Sequence, residues 1–189
     1  MSDQAPLPPA EPRAVRISKF LSFVLRHNPH SIGLTLDSEG WASVELLIEK
    51  AAASGTSLTR DELVHVVETN DKRRFTLSPD STRIRAAQGH SVDVGLGVAE
   101  AIPPDALYHG TATRFLVSIL AEGLQRGSRR QVHLTAERDT ALAVGQRHGQ
   151  PVVLVVDTIA MRASGHAFYQ ADNGVWLTDS VPPAFLAVT

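Results

Sequence analysis

The stretch RRFTLSPDSTRIRAAQ, residues 73–88, sets the outline of the first half of the chain. Apolar and polar side chains alternate on either side of Ser78-Pro79-Asp80, which is the period of a half-buried strand. Pro-Asp is turn chemistry, so the segment reads as a hairpin. Three helices are expected before it. Ile17, Phe20, Leu21, Val24 and Leu25 recur at the spacing of one helix face. That pattern stops at Asn28-Pro29, because a residue before proline is pushed out of the helical region. GLTLDSEGW (33–41) reads as a short extended piece turning at Ser38-Glu39-Gly40, after which Ser43 caps a second helix that Gly55 stops. Thr59-x-x-Glu62 is a capping box for a third helix to about Thr69, with Leu63, Val66 and Val67 facing inward. Three helices followed by a hairpin is the outline of a winged helix-turn-helix, expected over residues 13–88.

Outward from this unit the texture changes. Residues 1–12 hold four of the eleven prolines and are expected to form a disordered leader. GHSVDVGLGVAEAIPP (89–104) has no clear period and reads as a connector. Beyond it ALYHGTA, RQVHLTA, PVVLVVDT, AFYQAD and GVWLTD read as strands, with helices from about Thr113 to Glu122 and near 137–148. The expected fold class is α+β, with strands outnumbering helices in residues 105–189.

A chain of 189 residues with 43% hydrophobic content can bury a real core as one domain or as two small lobes. No apolar run approaches the roughly 20 residues of a spanning helix. The N-terminus MSDQAPLPPAEPR also lacks a basic patch followed by a hydrophobic stretch. Membrane and secreted readings therefore drop out, and a cytoplasmic location is expected. With no cysteine there is no disulfide framework, no thiolate nucleophile and no cysteine metal site. Residues 1–88 hold eleven Lys+Arg against eleven Asp+Glu and residues 89–189 hold seven against nine, so neither half is the strongly basic body of a non-specific nucleic-acid binder. Phosphate recognition must be local. Fifteen of the eighteen basic residues are arginine, whose planar fork matches phosphate bidentately.

Several catalytic signatures are missing. There is no HExxH pair, no GxxxxGK[ST] loop and no GxSxG elbow, and Gly95-x-Gly97 has Glu100 where a dinucleotide fingerprint needs its third glycine. No metal site is expected. What remains is a set of arginines and histidines at element ends. Arg26-His27 closes the first helix, where two cations also suit the helix dipole. Arg73-Arg74 opens the hairpin, and Arg129-Arg130 precedes the strand QVHLT. His109 lies in Tyr108-His109-Gly110-Thr111 near a strand end. There a glycine permits close backbone approach of a ligand, and the flanking His and Thr can hydrogen-bond it.

These residues also carry a resemblance. ISKFLSFVLRHNP, DSEGW (Asp37 to Trp41), NDKRRF, RIRAAQGHS, LYHGT, the R-x-x-V-H-L-T run from Arg129, and NGVWLTDSVPP follow one another in an order that resembles the RNA 2′-phosphotransferase family, over about residues 15–183. The resemblance implies a winged-helix, RNA-binding lobe (13–88), the connector (89–104), and an ADP-ribosyltransferase-like, NAD-binding mixed β lobe (105–189). It implies NAD⁺ as co-substrate and an RNA carrying a 2′-phosphate, tRNA-like and of the splice-junction type, as partner. In the implied reaction the RNA 2′-phosphate attacks the anomeric carbon of the nicotinamide ribose and expels nicotinamide. The ribose 2″-hydroxyl then attacks the phosphorus, releasing 2′-OH RNA and ADP-ribose 1″,2″-cyclic phosphate. Such chemistry needs cationic donors that hold a phosphate dianion in line with an electrophilic carbon.

By the same resemblance the catalytic set is Arg26, His27, Arg74 and Arg129. Arg74 is preferred to Arg73 because it directly precedes Phe75. The cofactor side is His109, Gly110, Thr111 and His133, with Val175 standing where many ADP-ribosyltransferases place a glutamate. An apolar residue there disfavours a protein-modifying enzyme. Gln88, Gly89, His90 and Ser91 match the family's QGHS and are expected at interlobe or substrate-side contacts. Gln131 replaces a frequent histidine, which would remove a protonated contact. Two other readings stand beside this one: an ADP-ribosyltransferase that caps terminal phosphates of RNA or DNA, and a non-catalytic winged-helix nucleic-acid-binding protein. A monomer is expected, since no heptads or exposed apolar stripe suggest otherwise.

Overall fold

The computed structural model describes residues 12–92 and 98–189; apart from Pro12, the expected leader lies outside the described residues, as does the middle of the connector. Helix α1 (Arg13–Arg26) turns Ile17, Leu21, Val24 and Leu25 inward and ends with the His27 N–H on the Phe23 carbonyl, just before Asn28-Pro29. A single 3₁₀ turn over Pro29–Ile32 follows, because Asn28 Oδ1 accepts the Ser31 N–H at 3.1 Å. Helix α2 (Val44–Ala53) starts at Ser43, whose hydroxyl accepts the Leu46 N–H. Helix α3 (Arg60–Glu68) has the full capping box. Thr59 Oγ1 accepts the Glu62 N–H at 3.2 Å, and Glu62 Oε2 accepts the Thr59 N–H at 3.0 Å. Arg13 grips the same carboxylate and, with the Thr59 N–H, holds its pKa down to about 2.

Strands β2 (Phe75–Leu77) and β3 (Arg83–Ala86) pair antiparallel with Phe75 opposite Ala86 and Leu77 opposite Ile84, as the alternation requires. Asp80 closes the turn by accepting from the Ser78 and Thr82 hydroxyls and the Thr82 N–H. The two-residue strand β1 (Ala42–Ser43) adds to the far edge of β3. One apolar cluster, including the fully buried Leu21, Leu25, Leu47, Leu63 and Ile84, fills the space between these helices and the sheet.

The second half alternates differently. Strand β4 (Ala106–Ala112) leads into α4 (Thr113–Glu122), β5 (Leu124–Gln125), β6 (Val132–Leu134), α5 (Arg138–Gln146) and β7 (Pro151–Asp157). Then come α6 (Thr158–Ala163), β8 (Tyr169–Gln170), β9 (Trp176–Thr178), β10 (Ser180–Val181) and β11 (Leu186–Val188). All pairings are antiparallel: β11-β7-β4, β6-β9-β8 and β10-β5. A bridge between Tyr108 and Thr135 ties β4 to β6 and so joins the two larger sheets. A second apolar cluster with Leu107, Leu154, Met161 and Phe168 at its centre lies beneath them. Among the described residues the architecture is thus mixed α+β, with six α-helices and several small antiparallel sheets, and no helix is long and apolar enough to cross a membrane.

Two features correct the sequence reading. The strands expected in RQVHLTA and AFYQAD shrink to three and two residues, because the chain turns away at Ala136 and again through Ala171–Val175. Gly110 does not open a ligand approach on its missing side-chain face. A Cβ built there would sit 1.7 Å from the Ala141 carbonyl oxygen, so that face is filled by the backbone of α5.

The two halves touch through named contacts. Thr76 Oγ1 and Arg85 Nη2 donate to Asp172 Oδ2 at 2.9 and 2.7 Å, while the Arg85 guanidinium lies 4.6 Å from the Trp41 ring centroid. The Ser91 N–H donates to the Arg26 carbonyl at 2.9 Å, docking the start of the connector on the end of α1.

Candidate active site

Three arginines from distant segments converge where α1 ends. Arg26 is the last residue of α1, and its Nη2 donates to the Arg74 carbonyl at 3.4 Å. Arg74 is aimed there by its own loop. The Arg73 N–H donates to the Asn70 carbonyl at 2.7 Å with Arg73 at φ +42°, and Arg74 Nη1 donates to Asn70 Oδ1 at 3.3 Å. Asn70 is itself anchored on α1 through Ser18 Oγ at 3.2 Å. Gly89 passes between the halves at φ +85°, and a Cβ there would touch both the Arg26 guanidinium and His133 Cε1 at 3.7–3.8 Å. A left-handed residue is needed at this crossing, which is why glycine stands there.

Arg129 completes the cluster from the loop before β6. Its Nη1 donates to His133 Nδ1 at 2.6 Å. A guanidinium has no acceptor, so Nδ1 of His133 carries no proton and the neutral ring is protonated at Nε2. Burial, with Arg129 and then Arg26 and His109 nearby, pushes His133 down to about 3. His109 Nδ1 donates to the His133 carbonyl at 3.1 Å, which leaves Nε2 of the neutral ring as an acceptor. Burial lowers the His109 pKa as well, with the bond to the carbonyl opposing it. His27, exposed at the helix end, lies with Nδ1 3.0 Å from Ser91 Oγ and is lowered by desolvation and by Arg26 and Arg129.

The charges acting on this cluster are of one sign. Arg26 is pulled down to about 10 by burial first, then by Arg74 and Arg129. Its Nε is buried without a hydrogen-bond partner. His90, only 3% exposed, has both ring nitrogens buried and unpartnered, and burial plus Arg26, His27, Arg130 and Arg85 lower it to about 4. A partly buried cationic group with unmet donors is costly on its own and favourable around an anion. Among the described residues no group of three or more His, Asp or Glu is arranged to hold a metal ion.

The geometry therefore gathers Arg26, His27, Arg74, Arg129, His109 and His133, with Gly89, His90 and Ser91 between them. Thr111 is buried on the same face of β4 as His109, two residues on, whereas Gly110 points to α5. Val175 sits in the Ala171–Val175 turn, its N–H on Asn173 Oδ1 and its carbonyl accepting from Ala171. Gln131 turns its amide to Asp179 Oδ1 at 3.5 Å. Sequence reasoning gave Asp172 and Arg85 no role and did not see that His90 would lack partners; only RIRAAQGHS, which contains both Arg85 and His90, signalled them.

Residues 12–180 match the model of the RNA 2′-phosphotransferase, Tpt1/KptA family. The chain belongs to this family. Relatives named "Probable RNA 2′-phosphotransferase" agree over almost their whole length. One from Agrobacterium fabrum is 64% identical over 172 residues, covering 91% of this chain and 92% of its own. One from Pseudomonas aeruginosa strain PAO1 is 58% identical over 170 residues, covering 89% and 93%, and one from Hahella chejuensis is 54% identical over 171 residues, covering 90% and 92%. This RNA 2′-phosphotransferase family member carries the three-arginine cluster entirely within the matched span.

Proposed function

We propose that this chain removes an internal 2′-phosphate from RNA and transfers it to NAD⁺ through an ADP-ribosylated 2′-phospho-RNA intermediate. The observation that carries the reading is the meeting of Arg26, Arg74 and Arg129 with no acidic group among the charges that shift Arg26 and its neighbours. A phosphate dianion supplies what that cluster lacks: two negative charges and acceptors for the unpartnered Arg26 Nε. Family membership supports the phosphate being a 2′-phosphate of RNA.

In this proposal Arg26, Arg74 and Arg129 grip the phosphate oxygens and hold them in line for transfer. His27, exposed beside Ser91 and of lowered pKa, is the proton-exchanging group at the mouth of the cluster. His109, Thr111 and His133 form the NAD⁺ side. The neutral His109 offers Nε2 as an acceptor for a ribose hydroxyl, and His133 is held in one tautomer by Arg129. Gly110 serves that side by letting α5 pack against β4, and Val175 leaves it without a carboxylate. NAD⁺, when bound, contributes an electrophilic ribose carbon and a neighbouring hydroxyl. The winged-helix and ADP-ribosyltransferase-like lobes over 13–88 and 105–189, the cytoplasmic location and the monomeric state belong to the same proposal.

The test is to incubate the protein with NAD⁺ and a short RNA bearing one internal 2′-phosphate and to resolve the products by mass. NAD⁺-dependent loss of the phosphate with appearance of ADP-ribose cyclic phosphate is the expected result. An untouched internal phosphate combined with ADP-ribosylated 5′- or 3′-terminal phosphates would replace it with the capping reading. Binding of RNA with no NAD⁺ consumption would leave a non-catalytic protein.

A further inference from the structure

Helix α1 buries one face, yet it exposes two large apolar residues on another. Phe23 is 48% and Val15 41% accessible, although the same helix carries four fully or nearly buried core residues. Both line a cavity of about 540 Å³ between α1 and the Thr69–Lys72 loop. That volume lies within the ~300–1,000 Å³ typical of ligand sites. Its cationic groups are Lys19, Lys72 and Arg74, against Asp71 as the acidic one, with the His27 ring at the edge. The charge continues onto the second half, because Arg147, just past α5, is the largest influence depressing Lys72.

The groove opens at one end onto His27 and Arg74, which also belong to the arginine cluster. From Ala14 to His27 the helix runs roughly 20 Å, more than one nucleotide needs. Resting on the functional reading above, we infer that this groove holds the single-stranded RNA flanking the 2′-phosphate, with a base stacked on Phe23 and the backbone led past Lys72. The occupant follows from the combination present: an exposed aromatic ring, a cationic wall and direct continuity with a phosphate site are how single strands are held without reading sequence. The strand then lies along the first helix of the three rather than on α3.

The test measures binding by fluorescence anisotropy of a labelled RNA hexanucleotide with one internal 2′-phosphate, over a range of salt. Phe23→Ala weakens binding about tenfold, as loss of one base–aromatic stack requires, and leaves the salt dependence unchanged. Phe23→Trp restores wild-type affinity. Lys72→Ala flattens the slope of log K against log salt by about 0.7. Wild-type affinity in Phe23→Ala, or equal losses in Phe23→Ala and Phe23→Trp with unaltered melting, overturns the inference. Phosphate release is followed on the wild-type protein in parallel. A wild type that binds the RNA through Phe23 yet leaves its phosphate in place refutes the functional reading while sustaining the groove.

Discussion

Lowering the pH from 7 to 5 isolates the buried histidines, because the depressed carboxylates Glu62 and Asp80, both near 2, lose their contribution only below the ordinary carboxylate range. His90 falls from 6.5 unfolded to about 4 folded. The unfolded chain therefore binds a proton that the native protein refuses, so stability is complete above 6.5 and drains away as the pH drops toward 4. Between pH 7 and pH 5 this single group costs about 2 kcal/mol, and His133, at about 3, costs a similar amount. His90→Leu removes the titrating group and its two unpartnered nitrogens, and His90→Asn keeps polarity without titration. Urea unfolding at both pH values gives the comparison. In either variant the drop on acidification shrinks by about 2 kcal/mol relative to wild type. If both variants lose as much stability as wild type, His90 is not held neutral by its burial among Arg26, His27, Arg85 and Arg130, and the reasoning about the cationic cluster fails.

Other consequences are sharply testable. Arg74→Ala and Arg129→Ala abolish phosphate release or accumulate ADP-ribosylated RNA with far-UV circular dichroism unchanged; normal turnover in both removes the catalytic assignment. Arg129→Ala also frees His133 Nδ1 and removes the nearest positive charge, so the His133 pKa rises from about 3, read from imidazole NMR shifts. Gly110→Ala forces β4 and α5 apart and costs at least about 3 kcal/mol in chemical denaturation, since the new Cβ would lie 1.7 Å from a backbone oxygen. A double-mutant cycle of Arg85→Ala and Asp172→Ala yields a coupling of about 1 kcal/mol, and a coupling near zero would mean the pair does not hold the halves together.

Local chemistry was well written in the chain. Thr59-x-x-Glu62, Ser43, Asn28-Pro29 and Pro79-Asp80 each act within three or four residues, so the helix starts, the helix stop and the hairpin turn could be read directly. The strands β5, β10 and β11 and the six-residue helix α6 could not be read, since two to six residues show too little of any period. In the site, the arginines were legible as motif residues, but their convergence was not. Arg26, Arg74 and Arg129 are brought together by Arg26 on the Arg74 carbonyl, Ser91 on the Arg26 carbonyl and Gly89 beside His133, contacts spanning more than forty positions. Gly110 misled because a glycine next to a histidine looks the same whether a ligand or a helix occupies its missing side chain.

The Arg85 contact gives the molecule an optical gauge of its own. Of its two tryptophans, Trp41 lies under the guanidinium that holds Asp172, while Trp176 is buried in β9 directly beyond the turn that carries Asp172. One indole borders the joint from each half. A change in how the halves sit thus alters the emission of Trp41 by moving a cation off its face, with the buried Trp176 as the steady reference, and no label has to be attached.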